Sequence, residues 1–229
     1  MELTATIRNE ANVDDRVDLE ALDLAALLCS RVCHDIISPV GAITNGLEVL
    51  DEENDEGMKE VAFDLIRKSA RQASVKLQFA RLAFGAAGSA GAEIDLSDAE
   101  KVARGFMENE KASLEWEAPR ALMAKNRVKL LLNLMLLGVA AVPRGGTVKI
   151  KVEGEVAAPT FTILCSGPQA RVPHAFEHLV PGTIKDVRVD AHAVQPYYAG
   201  LLARDCRMGV AAALEGADVR ITAKSVQPG

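Results

Sequence analysis

LCSRVCHDIISPVGAITNGLEVLDE, Leu28 to Glu52, is the stretch whose reading decides the fold. Val32, Ile36, Val40, Ile43, Leu47 and Leu50 recur at steps of 4, 4, 3, 4 and 3. That spacing lays one apolar stripe along a helix of about five turns. The same stretch carries Cys33-His34-Asp35 and, five positions after the histidine, Pro39. A proline inside a helix has no N–H for the carbonyl four residues back, here that of Asp35. Pro39 leaves two readings open. It either kinks one long helix just beyond His34, or ends a helix in a turn over Ser38 to Gly41.

Working outward, DEENDEG (residues 51–57) is acidic, contains a glycine and reads as a loop. Beyond it Ala62, Ile66, Ala70, Ala73, Leu77, Ala80 and Phe84 recur at steps of 4, 4, 3, 4, 3 and 4. Two long helices joined by a short loop form an antiparallel hairpin. Such a hairpin cannot bury its apolar stripe alone, so the expectation is a homodimer built as a four-helix bundle. Residues 1–20 are polar and acidic and read as a flexible tail. GAAGSAGA, Gly85 to Ala92, reads as a linker. The domain division is therefore a tail at 1–20, a hairpin at 21–90 and a second domain at 91–229.

That second domain reads as α/β, giving an α+β chain overall. Ser97 and Glu100 have the spacing of a capping box that opens a helix. LEWEA (114–118) reads as a strand, and Lys125 to Ala141 as a strongly apolar helix stopped by Pro143 and Gly145-Gly146. TVKIKVEG and PTFTILCS alternate as strands do. A helix over Pro173 to Val180, a longer one over Asp190 to Ala213 and a strand over Asp218 to Ala223 complete the expected elements.

Composition limits the function. Hydrophobic residues make up 49% of the 229, enough for a sizeable core, while aromatics are only 4%. A net charge of −6 and few aromatics argue against a nucleic-acid partner. No secretory signal is visible, and the uncharged run Leu130 to Pro143 is shorter than the ~20 residues of a membrane helix. The expectation is a cytoplasmic chain with no membrane partner. Cys29, Cys33, Cys165 and Cys206 then read as small apolar residues. His174 and His178 are four apart, but no third metal ligand is evident, so no metal site is expected. Tyr197 and Tyr198 read as packed against the sheet.

His34 lies about half a turn from the apolar stripe and faces solvent. Its neighbours on that face are Ser30, Arg31, Ile37, Ser38 and, one turn on, Gly41. This low-relief surface can admit another protein. Neutral imidazole keeps a lone pair near pH 7, which makes His34 a candidate nucleophile for phosphotransfer; a solvated surface histidine is the alternative. Asp35 can orient the ring and stabilise its charge. Arg31, together with Arg67, Lys68 and Arg71 on the second helix, can meet an acidic partner or the travelling phosphate, or simply coat solvated faces. Ser38 either tunes the site or bonds back to a preceding carbonyl.

HDIISP resembles the H-box of histidine kinase dimerisation domains: His34 matches the phosphoacceptor, Asp35 its acidic neighbour, Ser38 the polar residue and Pro39 the proline. The second domain resembles the kinases' ATP-binding (Bergerat-like) domain with damaged motifs. In KLLLNLMLLGVAAVPRGG (129–146), Asn133 matches one kinase asparagine, but Leu137 replaces the one that helps hold magnesium. In FTILCSGPQAR, Cys165 replaces the aspartate that reads adenine, and a glycine is lost. VQPYYAGLLARD stands where a glycine-rich lid is expected. With LCSRVCHDIISPVGAITNGLEVLDE and LQFARLAFGA, this combination resembles the ChpT family of alphaproteobacterial histidine phosphotransferases, over roughly Leu22 to Ala223.

The resemblance implies a dimer without ATP that relays phosphate through His34. The donor is the receiver domain of a hybrid histidine kinase, and the acceptors are response-regulator receivers in cell-cycle control. It also implies that Mg²⁺ comes from the partner receiver. Two other functions compete: an active kinase with divergent ATP motifs, and a non-enzymatic module that binds receivers or inhibits a kinase.

Overall fold

A computed structural model gives the structure of the chain, which describes residues 19–52, 55–85, 92–180, 189–191 and 193–226. Most of the predicted tail, the centre of the predicted linker and the domain boundary drawn at 90/91 lie outside these residues.

Helix α1 (Ala21–Glu52) runs without interruption through Pro39, which is buried, so the proline does not end the helix. Helix α2 (Glu56–Ala83) begins at Asp55, whose carboxylate caps it by accepting from the Met58 N–H at 3.0 Å. The two helices lie along one another. Gly46 makes the close crossing possible, since a Cβ there would sit 2.7 Å from Ile66 Cγ1 and 3.3 Å from the Ala62 carbonyl oxygen. By length and composition alone α1 is apolar enough to cross a membrane. An uncharged run is a stricter criterion than mean hydropathy, which tolerates Arg31 and Asp35 within the helix.

The rest of the chain begins with the short strand β1 (Glu93–Asp95) and α3 (Leu96–Met107). Next come β2 (Ala112–Glu117), β3 (Leu122–Ala124), α4 (Lys125–Ala141), β4 (Gly146–Glu153) and β5 (Thr160–Ser166). The chain closes with α5 (His174–Leu179), α6 (Val194–Asp205), β6 (Met208–Glu215) and β7 (Asp218–Ser225). β1 and β3 pair antiparallel, and the other five strands form a sheet in the order β2-β4-β5-β7-β6. Among the described residues only the β2–β4 pair is parallel. Helices α3, α4 and α6 cover one face of that sheet. Alternate residues such as Val148, Ile150, Phe161, Ile163, Val219 and Ile221 are fully buried beneath them. The opposite face carries ion pairs, among them Lys149 Nζ with Glu117 at 2.6 Å.

Three expectations change. The cap of α3 is Asp95, which accepts from the Ser97 N–H at 2.7 Å, so the capping box read at Ser97 lies two residues too far in. The long helix expected over Asp190 to Ala213 stops at Asp205. Arg207 then adopts a left-handed conformation, φ 53°, and Met208–Glu215 pairs with β7 as an edge strand. The alanines of that strand favour a helix locally, but the ladder with β7 overrides the preference. Strands β1 and β3, three residues each, carry too little alternation to be read from sequence.

The end of the hairpin enters the core of the second unit. Phe79 and Ala83 of α2 belong to the same buried cluster as α3 and α4, with the Phe79 and Phe106 ring centroids 4.3 Å apart.

Candidate functional site

His34 sits on α1 with its side chain 63% exposed, on the solvent side as its spacing predicts. Its Nδ1 lies 3.6 Å from Asp35 Oδ1, slightly longer than a hydrogen bond. Arg31 Nε donates to the other carboxylate oxygen, Oδ2, at 3.1 Å. Asp35 therefore bridges the guanidinium and the imidazole. Both members of the Arg31–Asp35 pair are mostly shielded, at 26% and 32% exposure, so the pair is screened less than one in open water. With Nδ1 turned to the carboxylate, Nε2 lies on the opposite edge of the ring, away from Asp35.

Pro39 leaves the carbonyl of Asp35 without its helical donor, and a side chain from the other helix fills the vacancy. Lys76 Nζ on α2 donates to Asp35 O at 3.2 Å. The sequence singled out the proline and its orphaned carbonyl but not this lysine, which is 41 positions from its acceptor. The signal that would have found it is a basic residue facing inward on α2, on the same face as Gln72 and Phe79.

The predicted docking residues divide. Ile37 is 71% exposed, and Ser38 and Gly41 are exposed on the His34 side of α1. A Cβ added at Gly41 would meet nothing within 4 Å, which keeps the ground beside His34 low. Arg31 is committed to Asp35, so its place is behind the histidine. Lys68 lies on the flank of α2 that continues to Lys76. Arg67 lies on the other flank, paired with Asp64 at 3.2 Å and 5.8 Å from the Phe63 ring centre; Arg71 falls between the two flanks.

In the second unit the residues that the sequence reading singled out pack and brace. Asn133, fully buried, donates from Nδ2 to the Ala83 carbonyl at 3.1 Å and to the Lys129 carbonyl at 2.9 Å. Gln195 Nε2 on α6 in turn donates to the Asn133 carbonyl at 2.9 Å. Leu137 is buried, and Cys165 packs where a Cβ at Gly138 would lie 3.0 Å from its Sγ. Burial, then the charge of Asp218, pushes the Cys165 thiol up to about 12. Lys129, beside Asn133, is buried, and desolvation followed by Lys125 lowers its pKa.

Tyr197 also departs from expectation. Its hydroxyl accepts from the Leu19 N–H at 3.1 Å, and its ring lies with Val194 and Leu179 against Leu24, Leu27 and Leu28 of α1. It grips the start of the histidine helix, not the sheet. Tyr198 approaches Phe84 with ring centres 5.9 Å apart.

Among the cysteines, Cys165 is buried and Cys206 partly so, as small apolar residues are, but Cys29 and Cys33 are exposed. They share a hydrogen bond that, as the leading cause, raises the Cys33 thiol. Among the described residues no three His, Cys, Asp or Glu side chains are grouped to hold a metal ion. The His178 side chain and His192 lie outside the described residues.

Comparison with known proteins gives three findings. A family described as the histidine phosphotransferase C-terminal domain matches residues 96–228. The protein phosphotransferase ChpT of Brucella abortus (strain 2308) is 51% identical over 208 residues, covering 91% of this chain and 98% of that protein. A solved structure of a bacterial phosphotransferase superimposes with a TM-score of 0.83 at 49% identity, covering 91% of this chain and 98% of the other.

Proposed function

The chain belongs to the histidine phosphotransferase family, acting by histidine phosphotransfer in a phosphorelay, and on that premise we propose that His34 is the residue that carries the phosphoryl group. The observation that carries this assignment is the His34–Asp35–Arg31 arrangement: an exposed imidazole with one nitrogen turned to a carboxylate that an arginine already holds.

The chemistry follows from that geometry. Nε2 of neutral His34 attacks the phosphorus of a receiver's aspartyl phosphate in line. The N–P bond forms as the acyl P–O bond breaks, and the electron pair leaves with the receiver carboxylate. The ring becomes cationic with its proton on Nδ1, beside Asp35, where the carboxylate stabilises it. In the second half a receiver aspartate oxygen attacks the phosphorus, the N–P bond breaks and the pair returns to Nε2. Positioning supplies most of the acceleration, and the Mg²⁺ that neutralises the phosphoryl oxygens belongs to the receiver. The donor is the receiver of a hybrid kinase and the acceptors are response-regulator receivers. They dock on Ile37, Ser38 and Gly41, with Lys68 and then Arg67 and Arg71 at the margin.

No nucleotide takes part in this cycle. Supporting that reading, Leu137 and Cys165 fill the positions of the polar groups that an ATP site uses, and both donors of Asn133 are engaged by protein carbonyls. The working unit is a homodimer in the cytoplasm. Val40 and Leu47 on α1, and Phe63 and Leu77 on α2, lie at heptad-related positions away from the Asp35–Lys76 flank. They are 46%, 50%, 48% and 49% exposed in the single chain. That repeat is the seam of a four-helix bundle. It gives the apolar helix α1 a protein partner.

The test supplies a labelled, phosphorylated receiver freed of its kinase and follows label onto the wild type and His34→Ala. Label on the wild type alone, then on a second receiver, establishes the assignment. Equal labelling of both proteins removes His34 from the mechanism. Label taken from ATP and Mg²⁺ alone makes the chain a kinase.

A further inference from the structure

We propose that Lys76 is a positioning residue of the phosphotransfer site, supplying from α2 the hydrogen-bond donor that Pro39 removes from α1. The proposal rests on His34 being the phosphoryl carrier. In an uninterrupted helix the N–H of residue 39 would bond the carbonyl of Asp35. Proline has no such hydrogen, and Lys76 Nζ occupies that role at 3.2 Å. An ammonium donor makes a stronger bond than a peptide N–H, and this one runs between two helices where the peptide bond would run within one. The His34 turn is thereby tied to α2.

The surroundings strengthen the tie. Lys76 and Asp35 face a narrow crevice whose other walls include Phe79, Phe84, Phe106 and Leu136. Apolar walls shield one side of this part-buried bond from water. Asp35 is then held at both ends: its main chain by Lys76, its carboxylate by Arg31 at 3.1 Å. Only the edge of the carboxylate that faces His34 Nδ1 remains to follow the charge of the ring. A carboxylate fixed in this way needs no reorganisation as the imidazole becomes cationic. Pro39 and Lys76 therefore act as one device. The proline frees a carbonyl beside the nucleophile, and the lysine uses it as an anchor.

The test uses the full chain and phosphoramidate, a small donor that bypasses receiver docking. Nε2 attacks phosphorus, the P–N bond of the donor breaks, and ammonia leaves. Phosphohistidine formation is followed by ³¹P NMR and mapped to its residue. Lys76→Met keeps the apolar stem and removes the donor, and its rate at saturating phosphoramidate is expected to fall by roughly fivefold or more. Lys76→Arg restores most of the rate.

The decisive comparison is in a Pro39→Ala background, where the N–H returns to the Asp35 carbonyl and Lys76→Met loses its effect. Should Lys76→Met alone fail to fold, the double variant still decides. Recovery of folding and transfer supports the anchor, and failure of both variants overturns it. A wild-type rate in Lys76→Met, or an equal loss in both backgrounds, also overturns it. A wild type that takes no label on His34 is a different failure, which removes the phosphoryl carrier and the anchor with it.

Discussion

Asn133→Ala separates a structural brace from a remnant of metal and nucleotide binding. The substitution deletes the bonds from Nδ2 to the Ala83 carbonyl at 3.1 Å and the Lys129 carbonyl at 2.9 Å. The Lys129 carbonyl keeps its donor within α4, the N–H of residue 133. Among the described residues the Ala83 carbonyl has no other donor: Ala83 is the last residue of α2 and fully buried, and a helix end leaves such carbonyls without internal partners. Stranding it costs about 1–3 kcal/mol. The space left by the side chain adds about 1 kcal/mol. Gln195 keeps its 2.9 Å bond to the residue 133 carbonyl, so α6 stays attached to α4.

The expected loss is about 2–4 kcal/mol in denaturant unfolding, or a fall in Tm of about 5–12 °C for a chain of this size. Chain concentration is held fixed, because dissociation of the proposed dimer would otherwise shift the transition. Mg²⁺ and ATP are included in a parallel series and should move neither protein. A loss below about 0.5 kcal/mol would refute the brace. So would a Mg-ATP stabilisation of the wild type that the variant lacks, since Asn133 would then be a ligand residue.

Three further outcomes follow from the structure. Asp35→Asn, which removes charge from both Arg31 and His34 Nδ1, should slow transfer from a receiver by about 10–100-fold in single-turnover assays with little change in receiver affinity. Leu47→Asp tests the proposed dimer by placing a charge among the exposed apolar side chains of α1; analytical ultracentrifugation should show the wild type as a dimer and the variant as single chains at the same concentration, with the far-UV spectrum unchanged. Cys165 and Cys206 are held up to about 12 and about 11 by burial, so the folded state keeps both thiols neutral. Their contribution is full below the unfolded value of about 8.5 and is lost as pH rises toward the folded values, because the unfolded chain ionises first. Unfolding midpoints should fall between about pH 9 and 11, and Cys165→Ala should flatten that decline.

The site was half legible in the sequence. His34 and Asp35 are adjacent, so their shared face and their charge relation follow from the helix alone. Arg31 is one turn away, and a salt bridge at that spacing is a local expectation. Its role was not readable, because the same spacing also suits an outward-facing arginine. Helix α4 was legible to its ends, since its apolar run is stopped by Pro143 and by Gly145 and Gly146, which adopt φ 92° and 138°. Strand β6 was not, because Ala211–Ala212–Ala213 has no intrinsic preference for a strand. Pairing with β7 decides it.

The sequence by itself determined what is periodic or contiguous. It set the two helices of the hairpin, the alternation of the longer sheet strands, the exposed histidine beside an acid, and the proline that must orphan one carbonyl. Those features depend on residues within a turn or two, and a one-dimensional pattern records such relations completely. Tertiary structure decided who answers the orphan. Lys76 reaches Asp35 across 41 positions, Asn133 reaches Ala83 across 50, and Tyr197 meets Leu19 across 178. Each of these bonds requires one packing register between remote elements. Register is set by the fit of whole surfaces, such as Gly46 against Ile66 and Phe79 against Phe106. Periodicity tells which face of a helix is buried; it does not tell which atom of another helix that face will meet.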